Sequence, residues 1–194
     1  MDLLALLKDQ PYFRLKQIWQ GKFDPRFNSY ADLTTLPKGW REKAKNLPWF
    51  SVKLIFLQES ENSRTKKALL ELFDGEIIET VLMGRINKKE TRQQKMRYTV
   101  CLSTQAGCPM NCAFCATGSL GFKRNLTVEE LVDQFRFWQR YLREHNGGEI
   151  ENIVLMGQGE PLLNYDNVKE ALNIFCLLYT SDAADDLLCV DLGG

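Results

Sequence analysis

Cys108, Cys112 and Cys115 stand at a C-x3-C-x2-C spacing just after the apolar run Tyr98-Thr-Val-Cys-Leu-Ser-Thr104. Thiolates so close in sequence can converge on one metal centre. A cubane 4Fe–4S cluster held by three thiolates keeps one iron open, and an open iron can bind and activate a small molecule. A zinc knuckle also uses closely spaced cysteines. It would need a fourth ligand, for which Cys101 and the single histidine, His145, are available. Spacing alone leaves the two readings level.

The flanking sequence separates them. Thr99-Val-Cys-Leu-Ser-Thr-Gln-Ala-Gly-Cys-Pro-Met-Asn-Cys-Ala-Phe-Cys-Ala-Thr-Gly118 continues through Gly121-Phe-Lys-Arg-Asn-Leu-Thr127, and Met156-Gly-Gln-Gly-Glu-Pro161-Leu-Leu-Asn164 follows. This pattern resembles the RlmN family, the radical SAM adenine-C2 methyltransferases of 23S rRNA and tRNA. The resemblance covers roughly residues 1–175. The Cfr-type adenine-C8 methyltransferases share these motifs and are the nearest alternative. A non-catalytic zinc-knuckle RNA-binding module and a radical SAM activase acting on protein fit less of the pattern.

The resemblance implies roles. Cys108, Cys112 and Cys115 would ligate one 4Fe–4S cluster per chain, with Phe114 shielding its edge. S-adenosyl-L-methionine (SAM) would sit at Gly157, Gly159, Glu160 and Pro161, where glycines after a strand allow close backbone approach and Glu160 orients the turn. An ordinary β–α turn has the same composition. Cys101, seven residues before Cys108, would resolve a covalent enzyme–RNA adduct by removing a proton and forming a disulfide with a methyl-carrying cysteine. A lone strand cysteine is otherwise a small buried hydrophobe. Glu79 matches a family glutamate near the substrate adenine, although an exposed strand carboxylate would look the same. The implied partners are 23S rRNA, tRNA and a one-electron reductant of flavodoxin or ferredoxin type, with the protein a monomer.

Residues 176–194 do not follow the family pattern. They carry Asp182, Asp185, Asp186 and Asp191 without a base, and read as a non-native, adapter-derived tail in which Cys176 and Cys189 have no function. The chain would then lack the methyl-carrying cysteine and be inactive by itself.

Residues 1–97 hold 19 Lys and Arg against 12 Asp and Glu, a net of +7, whereas residues 98–176 net −3. A basic half suits a polyanionic substrate, though solubilising surface charge would give the same count. No apolar stretch is long enough to span a membrane, and the opening residues lack a signal-peptide pattern. Six cysteines without export signals argue for reduced thiols. The cytoplasm is the expected compartment.

The expected fold class is α/β. Leu3, Leu4 and Leu7, then Phe13, Leu15, Ile18 and Trp19, recur at helical spacing, punctuated by Pro11, Gly21, Pro25, Pro37 and Gly39. The family counterpart of residues 1–50 is a small helical, helix-hairpin-helix-like domain that helps hold RNA. Residues 51–97 form a β-rich connector, with strands over 52–58, 66–73 and 76–83, a hairpin turn at Asp74-Gly75, and a basic stretch over 84–97 near the domain boundary. Residues 98–175 begin a radical SAM partial (β/α) barrel. Its first strand is expected over 98–104 and its second over 151–156. Between them a helix starts in a capping box at Thr127–Glu130 and ends at Gly147-Gly148. Asn164 or Asp166 should cap a further helix through Phe175.

Overall fold

The computed structural model describes residues 3–8, 10–61, 64–86, 96–145 and 147–179. The Cys189 end of the chain therefore lies outside the described residues.

The N-terminal part comprises α1 (Leu3–Leu7), α2 (Tyr12–Phe23), a 3-10 turn (Tyr30–Asp32) and α3 (Lys38–Ala44). Pro11 and Pro37 occupy the N-caps of α2 and α3, where no helical N–H is required. Gly21 and Gly39 do not break the chain as expected; they lie inside α2 and α3. At Gly21 an added Cβ would fall 2.3 Å from Leu33 Cδ2, so glycine there admits the following segment against the helix. Ile18, Trp19, Tyr30, Leu33, Trp40 and Ala44 form the local core. Tyr30 meets Trp40 and Trp49 edge-on, at 5.9 and 5.0 Å between ring centroids.

The sheet follows: β1 (Lys53–Glu59), β2 (Thr65–Glu71), β3 (Ile77–Ile86) and β4 (Met96–Cys101). These pair in sequence order, all antiparallel. The Asp74-Gly75 turn joins β2 to β3 as expected, with Leu72 N–H donating to Glu76 O. The β3–β4 ladder runs on to Ile86↔Met96, so pairing extends into both ends of the stretch read as a polar connector. The two-stranded β5 (Gln105–Gly107) and β6 (Phe122–Asn125) hairpin stands apart. It carries the cysteine loop and the short α4 (Ala116–Ser119). Next come α5 (Val128–Glu144), β7 (Ile150–Val154), a 3-10 turn (Pro161–Asn164) and α6 (Tyr165–Tyr179). β7 adds to β4 in parallel, completing a five-stranded sheet.

The Thr127–Glu130 capping box forms as expected: Thr127 N–H donates to Glu130 Oε2 at 2.8 Å, and Glu130 N–H to Thr127 Oγ1 at 3.3 Å. Neither Asn164 nor Asp166 caps α6. The chain enters that helix directly from the 3-10 turn, and Asn164 Nδ2 instead donates to the carbonyls of Thr104 and Leu126. The helix continues to Tyr179 rather than ending at Phe175.

One sheet face is covered. Ile78, Leu82, Val100 and Leu102 are buried together with Leu131, Phe135 and Trp138 of α5 and Val168, Ala171, Ile174 and Phe175 of α6. Phe135 and Phe175 stand 5.3 Å apart between centroids. A buried ionic knot ties the N-terminal helices to α5. Lys22 Nζ reaches Glu129 at 3.1 Å, Asp133 pairs with Arg136, and Arg136 Nε donates to Lys22 O at 2.9 Å. Burial lowers the Lys22 pKa, and the neighbouring Asp133 and Glu129 oppose that shift.

Candidate functional site

Parallel β4 and β7 end side by side, with Cys101 opposite Val154. The chain leaves the first strand toward the cysteine loop and the second toward the glycine turn. Chemistry in such arrays collects at these C-terminal ends.

Cys101 is the last residue of β4 and lies directly across from Val81 of β3. Side chains alternate along a strand, so Glu79 and Val81 share a face with Cys101, while Ile78, Thr80 and Leu82 turn to the core. Glu79 is half-exposed and pairs with Lys67 at 3.2 Å. Burial pushes the Cys101 thiol pKa up, and the Met156 N–H pulls it partly back. Thr80 holds the strand end in place: its hydroxyl donates to Cys101 O at 2.8 Å and accepts from Trp138 Nε1 at 3.0 Å.

The glycine turn is docked onto the continuation of β4. Leu102 N–H donates to Val154 O, Gly157 N–H to Leu102 O, and Thr104 and Gln105 N–H both reach Gln158 O. The Ser103 hydroxyl donates to Glu79 O at 2.5 Å and accepts from Gln158 N–H at 2.8 Å. A Cβ on Gly157 would fall 2.6 Å from Ser103 Oγ and 2.7 Å from Leu102 O. Gly159 has φ of +100°, and its added Cβ would meet Gln105 at 2.6 Å. Packing against residues 102–105 therefore already requires both glycines. Glu160 accepts from Leu162 N–H at 3.2 Å, capping the 3-10 turn that Pro161 begins.

The cysteine loop is solvent-facing: Cys112 and Cys115 are exposed, and Phe114 is 93% exposed. Cys115 sits before α4, where N–H groups of Gly118 and Thr117 and the Thr117 hydroxyl lower its thiol pKa. Among the described residues, no group of three or more His, Cys, Asp and Glu is arranged to hold a metal ion; the three thiols share the loop without converging. His145 lies at the far end of α5, stacked on Tyr141. A helix of 17 residues is about 25 Å long, which separates His145 from the stem of the loop and removes it as a fourth ligand. A groove of about 280 Å³, lined by Gly75, Ile77, Gly107, Leu120, Lys123 and Gln158, runs beside the stem. A cavity of about 540 Å³ between the N-terminal helices, β1 and the start of α5 contains none of the sequence-predicted site residues.

Residues 102–184 match the Radical SAM superfamily. The probable dual-specificity RNA methyltransferase RlmN of Heliobacterium modesticaldum is 42% identical over 177 residues, covering 90% of this chain and 45% of that protein. Over most of its own length this chain is similar to the RlmN methyltransferases. The counterpart from Dictyoglomus thermophilum is also 42% identical, across 85% of the chain and 44% of its own length. A solved radical SAM methyltransferase from Sphaerobacter thermophilus superposes with a TM-score of 0.69 at 36% identity, over 89% of this chain and 48% of that one. The chain thus has a radical SAM methyltransferase fold, mixed α/β, and spans about half the length of the relatives it matches.

Ser103, Gln105, Asn125 and Gln134 carry no expected role in the sequence, and Asn164 only that of a helix cap, yet all five hydrogen-bond around the stem of the loop and the glycine turn. Gln134 and Asn164 are buried polar residues on apolar helical segments, which was the available signal. Ser103 and Gln105 lay inside the quoted motif, overshadowed by its cysteines.

Proposed function

We propose that the chain belongs to a radical SAM methyltransferase that methylates C2 of an adenosine in 23S rRNA and in tRNA through a methyl-cysteine intermediate. The observation that carries this reading is the shared face of Cys101 and Glu79, at the strand ends from which the cysteine loop and the glycine turn depart.

The residues fit the implied groups by donor chemistry. Three thiols lie on one loop, two of them exposed, and Cys115 has a lowered pKa that favours the ligating thiolate. Gln158 Oε1 is buried without a hydrogen-bond partner. Such an acceptor calls for a donor, and the ammonium of an amino acid supplies three. Cys108, Cys112 and Cys115 would hold a 4Fe–4S cluster, and residues 157–161 would hold SAM. When bound, the pair supplies one-electron reductive cleavage of the sulfonium, fed by a flavodoxin- or ferredoxin-type reductant.

The chain's own residues then have separable tasks. Phe114 covers the cluster edge against water. Glu79 faces the adenine. Cys101 removes the adenine proton and resolves the enzyme–RNA adduct by forming a disulfide with the methyl-carrying cysteine. The helical residues 1–50 and the basic strands contact RNA, in keeping with the +7 balance of residues 1–97. We place the protein in the cytoplasm as a monomer; no described helix is long and apolar enough to cross a membrane.

The test joins residues 1–175 to the C-terminal half of a relative that carries the methyl-bearing cysteine and expresses the completed protein in cells whose RNA lacks the modification, with mass spectrometry of nucleosides from 23S rRNA and tRNA. The present chain alone should give no product. The expected product is 2-methyladenosine, absent with Cys115→Ala. Finding 8-methyladenosine instead, or no methylated adenosine, overturns the reading.

A further inference from the structure

Gln105 and Asn125 are direct cross-strand partners at the base of the β5–β6 hairpin whose tip carries the cysteine loop. Gln105 is 1% exposed. Its side chain does not stay within the hairpin. Oε1 accepts from Glu160 N–H at 2.8 Å, and Nε2 donates to Asn125 Oδ1 at 2.8 Å. Asn125 Nδ2 in turn donates to Leu163 O at 3.0 Å. Leu163 N–H donates to Glu160 O at 3.0 Å and closes the ring. The two amides are oriented in series. Reversing either one would set oxygen against oxygen or N–H against N–H, so the array has one favourable arrangement.

We propose that Gln105 and Asn125 are positioning residues that fix the turn of residues 158–163 on the stem of the cysteine loop, so that SAM is captured in register with the cluster. This rests on the reading above, in which the turn receives SAM and the loop holds iron. Neither residue touches either group. They act through the Glu160 amide and the Leu163 carbonyl, the two ends of the turn. The neighbouring Asn164 bonds to Thr104 O and Leu126 O anchor the same turn from behind, so removing the bracket should loosen the turn without unfolding the barrel strands.

The experiment uses the whole chain, with Gln105→Ala and the milder Asn125→Asp, which keeps the acceptor for Gln105 and loses the donor to Leu163. Three quantities are read. These are amide hydrogen exchange over residues 158–163 in cofactor-free protein, iron content after anaerobic reconstitution, and SAM affinity by equilibrium dialysis. In Gln105→Ala, exchange at the Glu160 amide should accelerate about tenfold or more on loss of its hydrogen bond to Gln105. Iron content should stay at the parent value, and SAM binding should weaken about tenfold in Gln105→Ala and less in Asn125→Asp. Unchanged exchange shows that the bracket does not hold the turn. Faster exchange with SAM affinity within twofold of the parent shows that capture does not depend on it. Either result overturns the proposal while the parent still binds SAM, and so does loss of iron together with SAM in both variants, which marks a merely structural role. A parent that takes up no iron and binds no SAM overturns the functional reading, and this proposal with it.

Discussion

Gln134 holds the Ser103 peptide by both of its polar groups. Ser103 N–H donates to Gln134 Oε1 at 2.9 Å, and Gln134 Nε2 donates to Ser103 O at 3.0 Å. Both residues are fully buried. The amide of a helical glutamine thus stands in for a neighbouring strand where the β4 ladder has ended, and it presents the Ser103 hydroxyl to Glu79 and to the glycine turn. Replacing Gln134 with Leu leaves a buried N–H and a buried carbonyl unpaired, and should destabilise the fold by about 2–5 kcal/mol. Urea denaturation monitored by tryptophan fluorescence measures it; a loss below about 0.5 kcal/mol, the size of an ordinary surface substitution, would refute the pairing.

The ionic knot beneath the N-terminal helices should depend on pH. Burial alone would raise the Asp133 pKa, but Lys22, Arg136 and the Ser51 N–H outweigh it and hold the carboxyl below its usual range. A depressed folded pKa contributes stability above the unfolded value of about 3.9 and loses it as pH falls through the folded value. Asp133→Asn should therefore cost about 3–5 kcal/mol at neutral pH, since Lys22 and Arg136 lose their counter-charge. The gap to the parent should narrow only in strong acid. A gap already closing at pH 6 would show that Asp133 is not the charged partner.

Alkylation should order two of the thiols. Cys115 is exposed with a lowered pKa, and Cys101 is half-buried with a raised one. In metal-free protein at neutral pH, iodoacetamide should modify Cys115 well before Cys101, because the thiolate is the nucleophile. Peptide mass spectrometry over a time course reads the order, and equal rates would contradict both environments.

Two glycine-to-alanine substitutions should differ in sign. In Gly157→Ala the new methyl meets the Leu102 carbonyl and Ser103 Oγ under 3.0 Å, so the turn must shift, at about 1–3 kcal/mol. Gly39 lies in α3 with nothing within 4 Å of an added Cβ, and Gly39→Ala should stabilise by about 0.5–1 kcal/mol. Thermal midpoints moving in the same direction would count against this account of the turn.

The local pattern along the chain was sufficient for the capping box at Thr127–Glu130, the turn at Asp74-Gly75, the strands on either side of it, and the cysteine loop. Each rests on a few consecutive residues whose backbone preferences or hydrogen bonds are short-range. What composition and spacing could not supply were relations across distant segments. Gly21 reads as a helix breaker until Leu33 is seen to need its space. Asn164 reads as a cap until its amide is found bonded to Thr104 and Leu126. The ties from Ser103 to Glu79 and Gln158, and from Gln105 to Glu160, join residues 24 to 55 positions apart. A buried polar group must be paired, but sequence states only that the group is polar. The packing of strand against strand and helix against sheet decided which partner satisfied it, and so brought Cys101, Glu79, the cysteine loop and the glycine turn to one end of the sheet.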